Sequence, residues 1–306
     1  MLRTAPPELS QIQQPVEDRL EHVIDELRRI VLSDFPAIEE INEYLFLARG
    51  KMFRPILLLL SSRVCGEDPP EAVSLAAVVE LVHLSTLVHD DAVDHSVLRR
   101  GMPTVAALWN HQSAIIMGDY LYSRAVSELA RIGRVELIAV LARAANEMSI
   151  GEMRQLVSHD ALDYTEEDYD RLIACKTASL MSAACEIGAL AGAEPYRDAL
   201  RTYGFQLGMA FQVVDDLLDY TETEDVTGKP TGHDLREHKV TLPLIAALEE
   251  MDAASRREVE EFFAIPEPTD DGIARVVELV REHGGLDYAR QRALAFGQEA
   301  LKAVES

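Results

Sequence analysis

Paired cysteines, long apolar runs and an excess of basic charge are all missing from this chain, and each absence excludes a class of protein. The three cysteines, Cys65, Cys175 and Cys185, form no paired framework and lack the spacing of zinc ligands. A disulfide-stabilised scaffold is therefore excluded, and a reducing cytoplasm is the expected location. The N-terminus shows no charged stretch followed by an apolar one, so we expect no secretory signal.

No apolar run reaches the length that spans a bilayer. The run that comes closest, residues 74–88, is interrupted by Glu80 and His83 and is typical of a buried helix. Basic residues are also scarce, because 29 Lys and Arg stand against 53 Asp and Glu, which gives a formal charge of −24. A nucleic-acid backbone needs a basic face, so we expect no nucleic acid among the partners. From the lack of a long apolar run we also expect no transmembrane segment.

The apolar residues of the chain mostly follow helical periodicity, and alternating strand patterns are nearly absent. Glycine and proline breakers divide the chain into long alanine- and leucine-rich segments, such as residues 135–157 and 171–193. We find no flexible linker and no repeat of the solenoid kind. The pattern predicts an all-α fold, with residues 1–306 forming a single domain of roughly ten or more helices around a central cavity.

Two acidic clusters of the same form, residues 90–94 (DDAVD) and residues 215–219 (DDLLD), carry the chemistry. In a helix the first and last Asp of each cluster lie one turn apart on one face. Carboxylates in an apolar stretch are costly unless a cation meets them, and Mg²⁺ prefers a few carboxylates with phosphate oxygens and water. Asp91 and Asp216 point to another side, where they would support the ligands. The predicted metal ligands are Asp90, Asp94, Asp215 and, through a water molecule, Asp219.

Basic residues stand near both clusters, against the acidic balance of the chain. Arg suits forked recognition of phosphate oxygens, and Lys acts as a compact charge. Each alone would more often be an ordinary helix-end charge, but together they indicate two anion sites beside the metal. His83, two helical turns before Asp90, is either a core residue or a ligand-binding one. The basic residues are Lys51, Arg54, Arg99, Arg100, Lys176, Lys229 and Lys239.

The ordered set of motifs resembles that of the trans-isoprenyl diphosphate synthases, also called polyprenyl synthetases, over about residues 45–245. The resemblance implies the isoprenoid synthase fold and Mg²⁺-dependent head-to-tail condensation of isopentenyl diphosphate with an allylic diphosphate. The matching motifs are, in chain order, Gly50-Lys51…Arg54-Pro55, His83, residues 90–94 followed by Arg99-Arg100-Gly101, Gly118-Asp119, Gly151-Glu152…Gln155, Lys176-Thr177, Phe211-Gln212, residues 215–219, Gly228-Lys229 and Lys239…Leu242-Pro243.

The resemblance also implies residue roles. About three Mg²⁺ ions would bridge the two clusters and the allylic diphosphate, and a homodimer is expected. The implied allylic site consists of Arg99, Lys176, Lys229 and Gln212, assisted by Thr177 and Lys239. The implied isopentenyl diphosphate site consists of Lys51, Arg54, His83 and Arg100. The implied catalytic set is Asp90, Asp94, Asp215, Lys176 and Arg99.

Three features depart from the family pattern. Met52 stands where many members have a second basic residue, which predicts a weaker isopentenyl site. His238 replaces a common glycine, which leaves the local turn open. The sequence ends at Ser306, short of a terminal helix that many members carry, so we expect a short C-terminal helix. We make no prediction of how the site closes.

Ser85 and Thr86 precede Asp90 at the positions that form a floor under the growing chain in this family. Bulky aromatic residues there stop elongation early, so these small residues predict a product longer than C20. The alternative is that Ser85 and Thr86 pack against a neighbouring helix while another residue forms the floor.

Other functions stay open at this point. The chain could be a short-chain (C15/C20) synthase, or a non-catalytic or heteromeric subunit, although such subunits usually lose the aspartates. A terpene or squalene-type synthase would lack the isopentenyl site around Lys51, Arg54 and Arg100. A di-iron bundle would need two Glu-x-x-His pairs, and only Glu80…His83 has this form near acidic residues.

Overall fold

The computed structural model describes residues 8–47, 50–157, 161–221 and 232–305. In these ranges the chain is almost entirely helical, and its strands are limited to one antiparallel hairpin, β1 (Leu98–Arg99) and β2 (Met102–Pro103). The predicted all-α fold is therefore confirmed.

The helices up to residue 157 are α1 (Leu9–Gln13), α2 (Glu17–Val31), α3 (Pro36–Leu47), α4 (Phe53–Ser62), α5 (Glu71–Val93), α6 (Val105–Leu108), α7 (His111–Ile132) and α8 (Val135–Val157). Those that follow are α9 (Glu166–Ile173), α10 (Ser179–Gly192), α11 (Arg197–Thr221), α12 (His233–Arg236), α13 (Leu242–Glu250), α14 (Ala253–Phe263), α15 (Asp270–Glu282) and α16 (Gly285–Glu305). A π-helical turn, Ala174–Ala178, joins α9 to α10, and short 3-10 turns lie at Gln14–Val16, Ala161–Asp163 and Glu194–Tyr196.

The chain divides into two compact units, and each of them is built from two separate stretches of sequence. The first unit contains residues 1–145 and 180–204, and the second contains residues 146–179 and 205–306. The single domain proposed from the sequence stays a prediction.

Helix α5 is the centre of the first unit, where it packs most extensively against α7 and also against α2 and α4. Leu75, Leu81 and Leu121 are fully buried in this packing. Because neighbours cover α5 on several sides, its sequence is apolar around most of the helix rather than along one stripe. Helix α10 approaches α4 closely at Gly188, where an added Cβ would lie 2.3 Å from the Leu58 carbonyl oxygen.

The second unit has its own core, to which α9, α11, α13, α15 and α16 contribute, with Tyr169, Val213, Leu242 and Val280 among the buried residues. Helix α9 begins sharply at a capping box. The Thr165 hydroxyl accepts from the Asp168 backbone N–H at 3.2 Å, and the Asp168 carboxylate accepts from the Thr165 backbone N–H at 3.3 Å. The start of α9 is thus well defined by local sequence.

Two helical stretches, Glu71–Val93 and Glu166–Gly192, are long and apolar enough to cross a membrane by length and composition. More than half of the most apolar part of each is buried within the protein. Core helices pass the same test, so these stretches are a weak indication of a membrane span. The absence of a transmembrane segment stays a prediction.

Candidate active site

The first aspartate cluster lies at the C-terminal end of α5. Asp90 is half-buried, Asp94 is exposed and caps the helix, and Asp91 is only 6% exposed. The Asp94 backbone N–H donates to the Asp90 carbonyl at 2.8 Å, so these two residues lie one turn apart as predicted. Because a helix carries partial negative charge at its C-terminus, carboxylates placed there have an additional need for a cation.

Asp91 is paired with Arg99 on the hairpin that follows α5. Arg100 (φ 52°) and Gly101 (φ 74°) form its two-residue turn, and positive φ at both positions is the requirement of a type I′ turn. The Arg99 Nε donates to both Asp91 carboxylate oxygens, at 2.7 and 2.8 Å. Burial raises the pKa of Asp91, and the charge and hydrogen bonds of Arg99 oppose this. The allylic role predicted for Arg99 stays a prediction; the structure places its Nε on Asp91.

Three of the four predicted isopentenyl residues lie within electrostatic range of one another in the first unit. Burial lowers the pKa of Arg54, and it lowers the pKa of His83 well below its usual value, with the charges of Arg54 and Arg100 acting in the same direction on His83. The Arg100 guanidinium lies against the backbone of Gly50, where an added Cβ would be 2.8 Å from its Nη1. Lys51, the fourth residue, is exposed just before α4.

Glu80 belongs to this group, although the sequence analysis gave it no part in substrate binding. Burial raises the pKa of Glu80, while the charge of Arg54 lowers it. Among the described residues, the buried Glu80 Oε2 and the buried Arg54 Nε have no hydrogen-bond partner. Orphaned polar atoms of this kind are normally satisfied by a water molecule or a ligand. The available sequence signal was the position of Glu80 one turn before His83.

The second cluster lies in the last turns of α11. Asp215 is exposed, Asp216 is 6% exposed and Asp219 is half-buried. The two carboxylate oxygens of Asp219 accept from the backbone N–H groups of His233 at 3.1 Å and Asp234 at 3.0 Å, so Asp219 caps α12. An oxygen that accepts one hydrogen bond retains a lone pair, which is compatible with the water-mediated metal contact predicted for Asp219.

Asp216 is held by neutral donors. The Tyr169 hydroxyl donates to its Oδ2 at 2.6 Å, and the Gln212 Nε2 donates to its Oδ1 at 2.8 Å. The Thr177 hydroxyl in turn donates to the Gln212 Oε1 at 2.7 Å. Burial raises the pKa of Asp216 to about 7; the charges of Asp234 and Asp215 add to this rise, and the two hydrogen bonds oppose it. Gln212 and Thr177, predicted to hold the allylic substrate, thus also support Asp216.

Sequence reasoning missed Tyr169 and Asp234. Tyr169 comes from α9, far from residues 215–219 in the chain, and no spacing rule connects the two. Asp234 follows the second cluster and lies within electrostatic range of Asp216. Its position directly before Leu235 carries no signal that distinguishes it from an ordinary surface carboxylate.

Lys176 sits in the π-helical turn between α9 and α10, and such turns are frequent at functional sites. Its Nζ lies 2.6 Å from the Glu152 Oε2 and donates to the Gln155 Oε1 at 2.8 Å. Gly151 allows this approach, because an added Cβ would lie 2.8 Å from the Cys175 Cβ. The Gly-Glu-x-x-Gln motif, which had no role in the sequence analysis, therefore positions Lys176.

Non-glycine residues with positive φ stand beside predicted site residues. His238, at φ 54°, keeps the left-handed turn that a glycine would make, and its Nε2 lies 2.9 Å from the Ile265 carbonyl oxygen. The following residue, Lys239, donates to Glu237 at 2.6 Å. Left-handed backbone is costly for such residues and clusters at functional sites. In the described part of the chain the four residues of this kind are Met52, His95, Arg100 and His238.

Comparison with known proteins identifies the family. The model of the family described as polyprenyl synthetase matches residues 35–280. The chain belongs to the polyprenyl synthetase family. It is 39% identical over 277 residues to the all-trans-nonaprenyl-diphosphate synthase (geranyl-diphosphate specific) of Rhodobacter capsulatus, covering 90% of this chain and 85% of that protein. The predicted family and prenyltransferase class are thereby confirmed.

Two further similar proteins bear on the length of the product and on the use of a divalent metal ion. The chain is 37% identical over 271 residues to the short chain isoprenyl diphosphate synthase of Methanothermobacter thermautotrophicus, covering 86% of this chain and 82% of that protein. The crystal structure of a polyprenyl synthase from Caulobacter crescentus, complexed with calcium and isoprenyl diphosphate, superposes with a TM-score of 0.91 at 34% identity, covering 99% of this chain and 93% of that one. The predicted isoprenoid synthase fold is therefore confirmed.

The donor set of this polyprenyl synthetase fits a hard divalent cation. Over the described ranges, no three or more His, Cys, Asp or Glu side chains are grouped so that they alone could hold a metal. Mg²⁺ suits this arrangement, because it usually combines one or two carboxylates with water and substrate phosphates rather than an all-protein cage. In each motif the middle carboxylate is buried, while the outer two are half-buried or exposed. Lys229, predicted for the allylic site, lies outside the described residues.

The residues predicted to set product length face different surroundings. The Ser85 hydroxyl donates to the Gly118 carbonyl on α7 at 2.8 Å, and Ser85 is only 3% exposed. The Thr86 hydroxyl donates to the His83 carbonyl at 2.8 Å and is half-buried. Ser85 therefore packs against a neighbouring helix, which is the alternative left open by the sequence. Their role in chain length stays a prediction.

Proposed function

We propose that this chain is a polyprenyl diphosphate synthase, which condenses isopentenyl diphosphate head-to-tail (1′-4) with an allylic diphosphate in the presence of Mg²⁺. The observation that carries the proposal is an arrangement repeated at both aspartate clusters. Side chains of the protein donate hydrogen bonds to the buried middle carboxylate, Asp91 or Asp216, and the outer carboxylates are half-buried or exposed near the end of a long helix. The family match over residues 35–280 supports it.

Asp90, Asp94, Asp215 and Asp219 would hold the metal, with about three ions expected as in the family. When bound, Mg²⁺ neutralises the negative charge that builds on the departing diphosphate. Lys176 adds a cation that Glu152 and Gln155 already orient, so little reorganisation is needed when the charge develops. Arg99, Thr177, Gln212, Lys229 and Lys239 complete the proposed allylic site.

Lys51, Arg54, His83 and Arg100 form the proposed isopentenyl diphosphate site. The two arginines provide charge for the diphosphate, and the orphaned Arg54 Nε provides an unused donor. Burial and the charges of Arg54 and Arg100 lower the pKa of His83, which favours the neutral imidazole and a hydrogen bond without further charge. No side chain is assigned to the loss of the proton, for which the released diphosphate is the proposed base.

For the product we propose a chain longer than C20, made by a cytoplasmic homodimer. Small residues at Ser85 and Thr86 and the similarity to a nonaprenyl synthase support the length. A short-chain product is the second candidate, because a short-chain synthase is 37% identical to this chain and because Ser85 packs against α7.

The decisive test incubates the purified chain alone with Mg²⁺, isopentenyl diphosphate and allylic diphosphates of increasing length, followed by chromatography of the products. We expect elongation beyond C20 that stops when the metal is removed with EDTA. Folded, Mg²⁺-supplied protein that elongates no starter would contradict the proposal and favour a subunit role. Consumption of a starter without isopentenyl diphosphate would indicate a terpene-type synthase.

The product length has its own test. Thr86→Phe should shorten the product, because Thr86 is half-buried and a larger side chain there can extend beyond α5. Ser85→Phe is the harsher variant, since its side chain must leave the contact with Gly118. Ser123→Phe, on an exposed position of α7, is the matched control and should leave the product unchanged. Unchanged length in Thr86→Phe and Ser85→Phe would remove both residues from the floor.

A further inference from the structure

The hydrogen bond between Tyr169 and Asp216 is the link that the proposed mechanism does not use. Tyr169 is 2% exposed and its ring is part of the core of the second unit. Its hydroxyl ends 2.6 Å from the Asp216 Oδ2, a short distance that is typical of an O–H donor on a carboxylate. Tyr169 is therefore fixed by packing at one end and holds the middle aspartate at the other.

Helix α9, which carries Tyr169, is also anchored by α16. Arg292 of α16 lies 2.8 Å from the Glu166 Oε1 and donates to the Asp170 Oδ2 at 2.8 Å. The Tyr288 hydroxyl of α16 donates to the Glu166 Oε2 at 2.6 Å. Glu166 and Asp170 are one turn apart, so both contacts hold the same face of α9.

We propose that Tyr169 is a positioning residue for the second aspartate cluster and that α16, through Arg292, keeps α9 where this contact is made. The inference rests on the proposed function, because it assigns the cluster to metal binding. Asp216 shares its helical turn with Asp215 and Asp219, so the orientation of its carboxylate affects how those two are presented. Removing a hydrogen-bond partner that orients a metal ligand typically lowers metal affinity or activity by 10–100-fold.

A neutral donor suits this position. The Tyr169 and Gln212 donors fix Asp216 without placing a positive charge beside it. Arginine in the same place would also fix the carboxylate but would repel a cation bound nearby. Tyr169 thus orients the carboxylate without repelling a cation bound to the cluster.

The test is Tyr169→Phe, which keeps the ring in the core and removes only the hydroxyl. Mg²⁺ binding is measured by calorimetry in the presence of inorganic diphosphate, and kcat and KM are measured over a Mg²⁺ titration. We expect Mg²⁺ affinity to fall about 10-fold and the half-saturating Mg²⁺ concentration to rise equally, with KM for isopentenyl diphosphate nearly unchanged. A purely structural role of the hydroxyl would lower stability and leave Mg²⁺ affinity unchanged.

Tyr120→Phe is the matched control, because it also removes a hydroxyl hydrogen bond, to the Val31 carbonyl at 2.8 Å, but in the first unit. Mg²⁺ affinity should stay unchanged in this control. Arg292→Met tests the anchor and should lower Mg²⁺ affinity in the same direction as Tyr169→Phe, by a smaller factor. If Tyr169→Phe does not fold, Arg292→Met decides the question.

The outcomes separate this inference from the proposed function. Wild-type Mg²⁺ affinity in Tyr169→Phe, or an equal loss in Tyr120→Phe, would overturn the positioning role while leaving the synthase intact. Wild-type affinity in Arg292→Met would overturn the anchoring role of α16. A wild-type protein that elongates no starter but binds Mg²⁺ would overturn the proposed function alone. One that binds no Mg²⁺ would overturn both.

Discussion

The two aspartate clusters share one sequence pattern, but the protein supports them in different ways. In both, the middle carboxylate is buried to the same degree, at 6% exposure. Asp91 accepts hydrogen bonds from the charged Arg99, whereas Asp216 accepts them from the neutral side chains of Tyr169 and Gln212. The first cluster therefore has a protein counter-charge beside its middle carboxylate, whereas the donors in the second are neutral and burial raises the pKa of Asp216 to about 7. The second cluster consequently depends on a bound cation, rather than on these donors, to offset its negative charge.

The two supports also differ in how the chain provides them. Arg99 follows Asp91 by eight residues and reaches it from the first strand of the hairpin that comes after α5. Tyr169 reaches Asp216 only because α9 and α11 pack together in the second unit. The first cluster thus depends on local sequence, and the second depends on tertiary packing. Substitutions distant in sequence should affect the second cluster more.

Replacing an outer aspartate should lower kcat/KM more than any other change, and the loss should be similar in both clusters. Asp90→Asn and Asp215→Asn each remove a proposed metal ligand, and we expect kcat/KM to fall by about 10³-fold, equivalent to about 4 kcal/mol of transition-state stabilisation. Asp91→Asn and Asp216→Asn should cost roughly 10-fold, because these residues act through their neighbours. Steady-state kinetics at saturating Mg²⁺ measures all four.

The contrast between outer and middle positions serves as the internal control. Circular dichroism should show unchanged helix content in the four variants. If Asp91→Asn or Asp216→Asn were as damaging as its outer neighbour while still folded, the middle residues would be metal ligands themselves. The assignment of metal binding to the outer aspartates alone would then be wrong.

Removing the internal cation of the first cluster should have the next largest effect. Arg99→Met leaves the Asp91 carboxylate buried without its partner, and we expect unfolding free energy to fall by about 2 kcal/mol. Because the Arg99 side chain is 38% exposed, solvent screens part of the interaction, which keeps this value below that of a fully buried pair. Urea unfolding measures the change.

The double variant Arg99→Met with Asp91→Asn should recover most of that loss, since no unpaired charge remains. Equal stabilities of the single and double variants would mean that Arg99 contributes through packing rather than charge. Arg99 would then not distinguish the first cluster from the second.

Much of the fold followed from the sequence because its signals are local. Glycine and proline breakers separated the long helices, and helical spacing correctly put Asp91 and Asp216 on a different side from their neighbours, since both are buried. The motif order was sufficient to predict the family, which the match over residues 35–280 confirms. The hairpin at residues 98–103 was not predicted, because two-residue strands have no periodicity to detect.

The parts of the site that escaped prediction depend on contacts between distant residues. Tyr169 and Glu80 have ordinary helical surroundings in the sequence, and only packing brings them to Asp216 and Arg54. The π-helical turn around Lys176 is similarly invisible, because one additional residue in a turn leaves no pattern. Such contacts are decided by tertiary structure rather than by spacing along the chain.

The neutral support of the second cluster can be weakened in a graded way. Gln212→Leu removes one donor to Asp216 and the acceptor for Thr177, and we expect a loss of about 1 kcal/mol in unfolding free energy. Gln206→Leu is the matched control in the same helix. The buried Gln206 Oε1 has no hydrogen-bond partner among the described residues, so its removal should be neutral or stabilising. Equal destabilisation by both variants would show that the loss comes from volume change and not from the link to Asp216.

Two residues with a left-handed backbone near the clusters should show the smallest difference. His95, directly after the first cluster, has φ 53°, whereas Gly232, whose N–H donates to the Asp219 carbonyl, has φ 71°. His95→Gly relieves a conformational cost of about 1–2 kcal/mol, but glycine loses more backbone entropy on folding, which offsets about 0.5–1 kcal/mol of the gain. We therefore expect stability to rise by roughly 0.5 kcal/mol, measured as a small increase in Tm with Mg²⁺ affinity unchanged. A lower Tm would mean that the contact between His95 and His111, at 3.1 Å, stabilises the first cluster's turn more than the strain destabilises it.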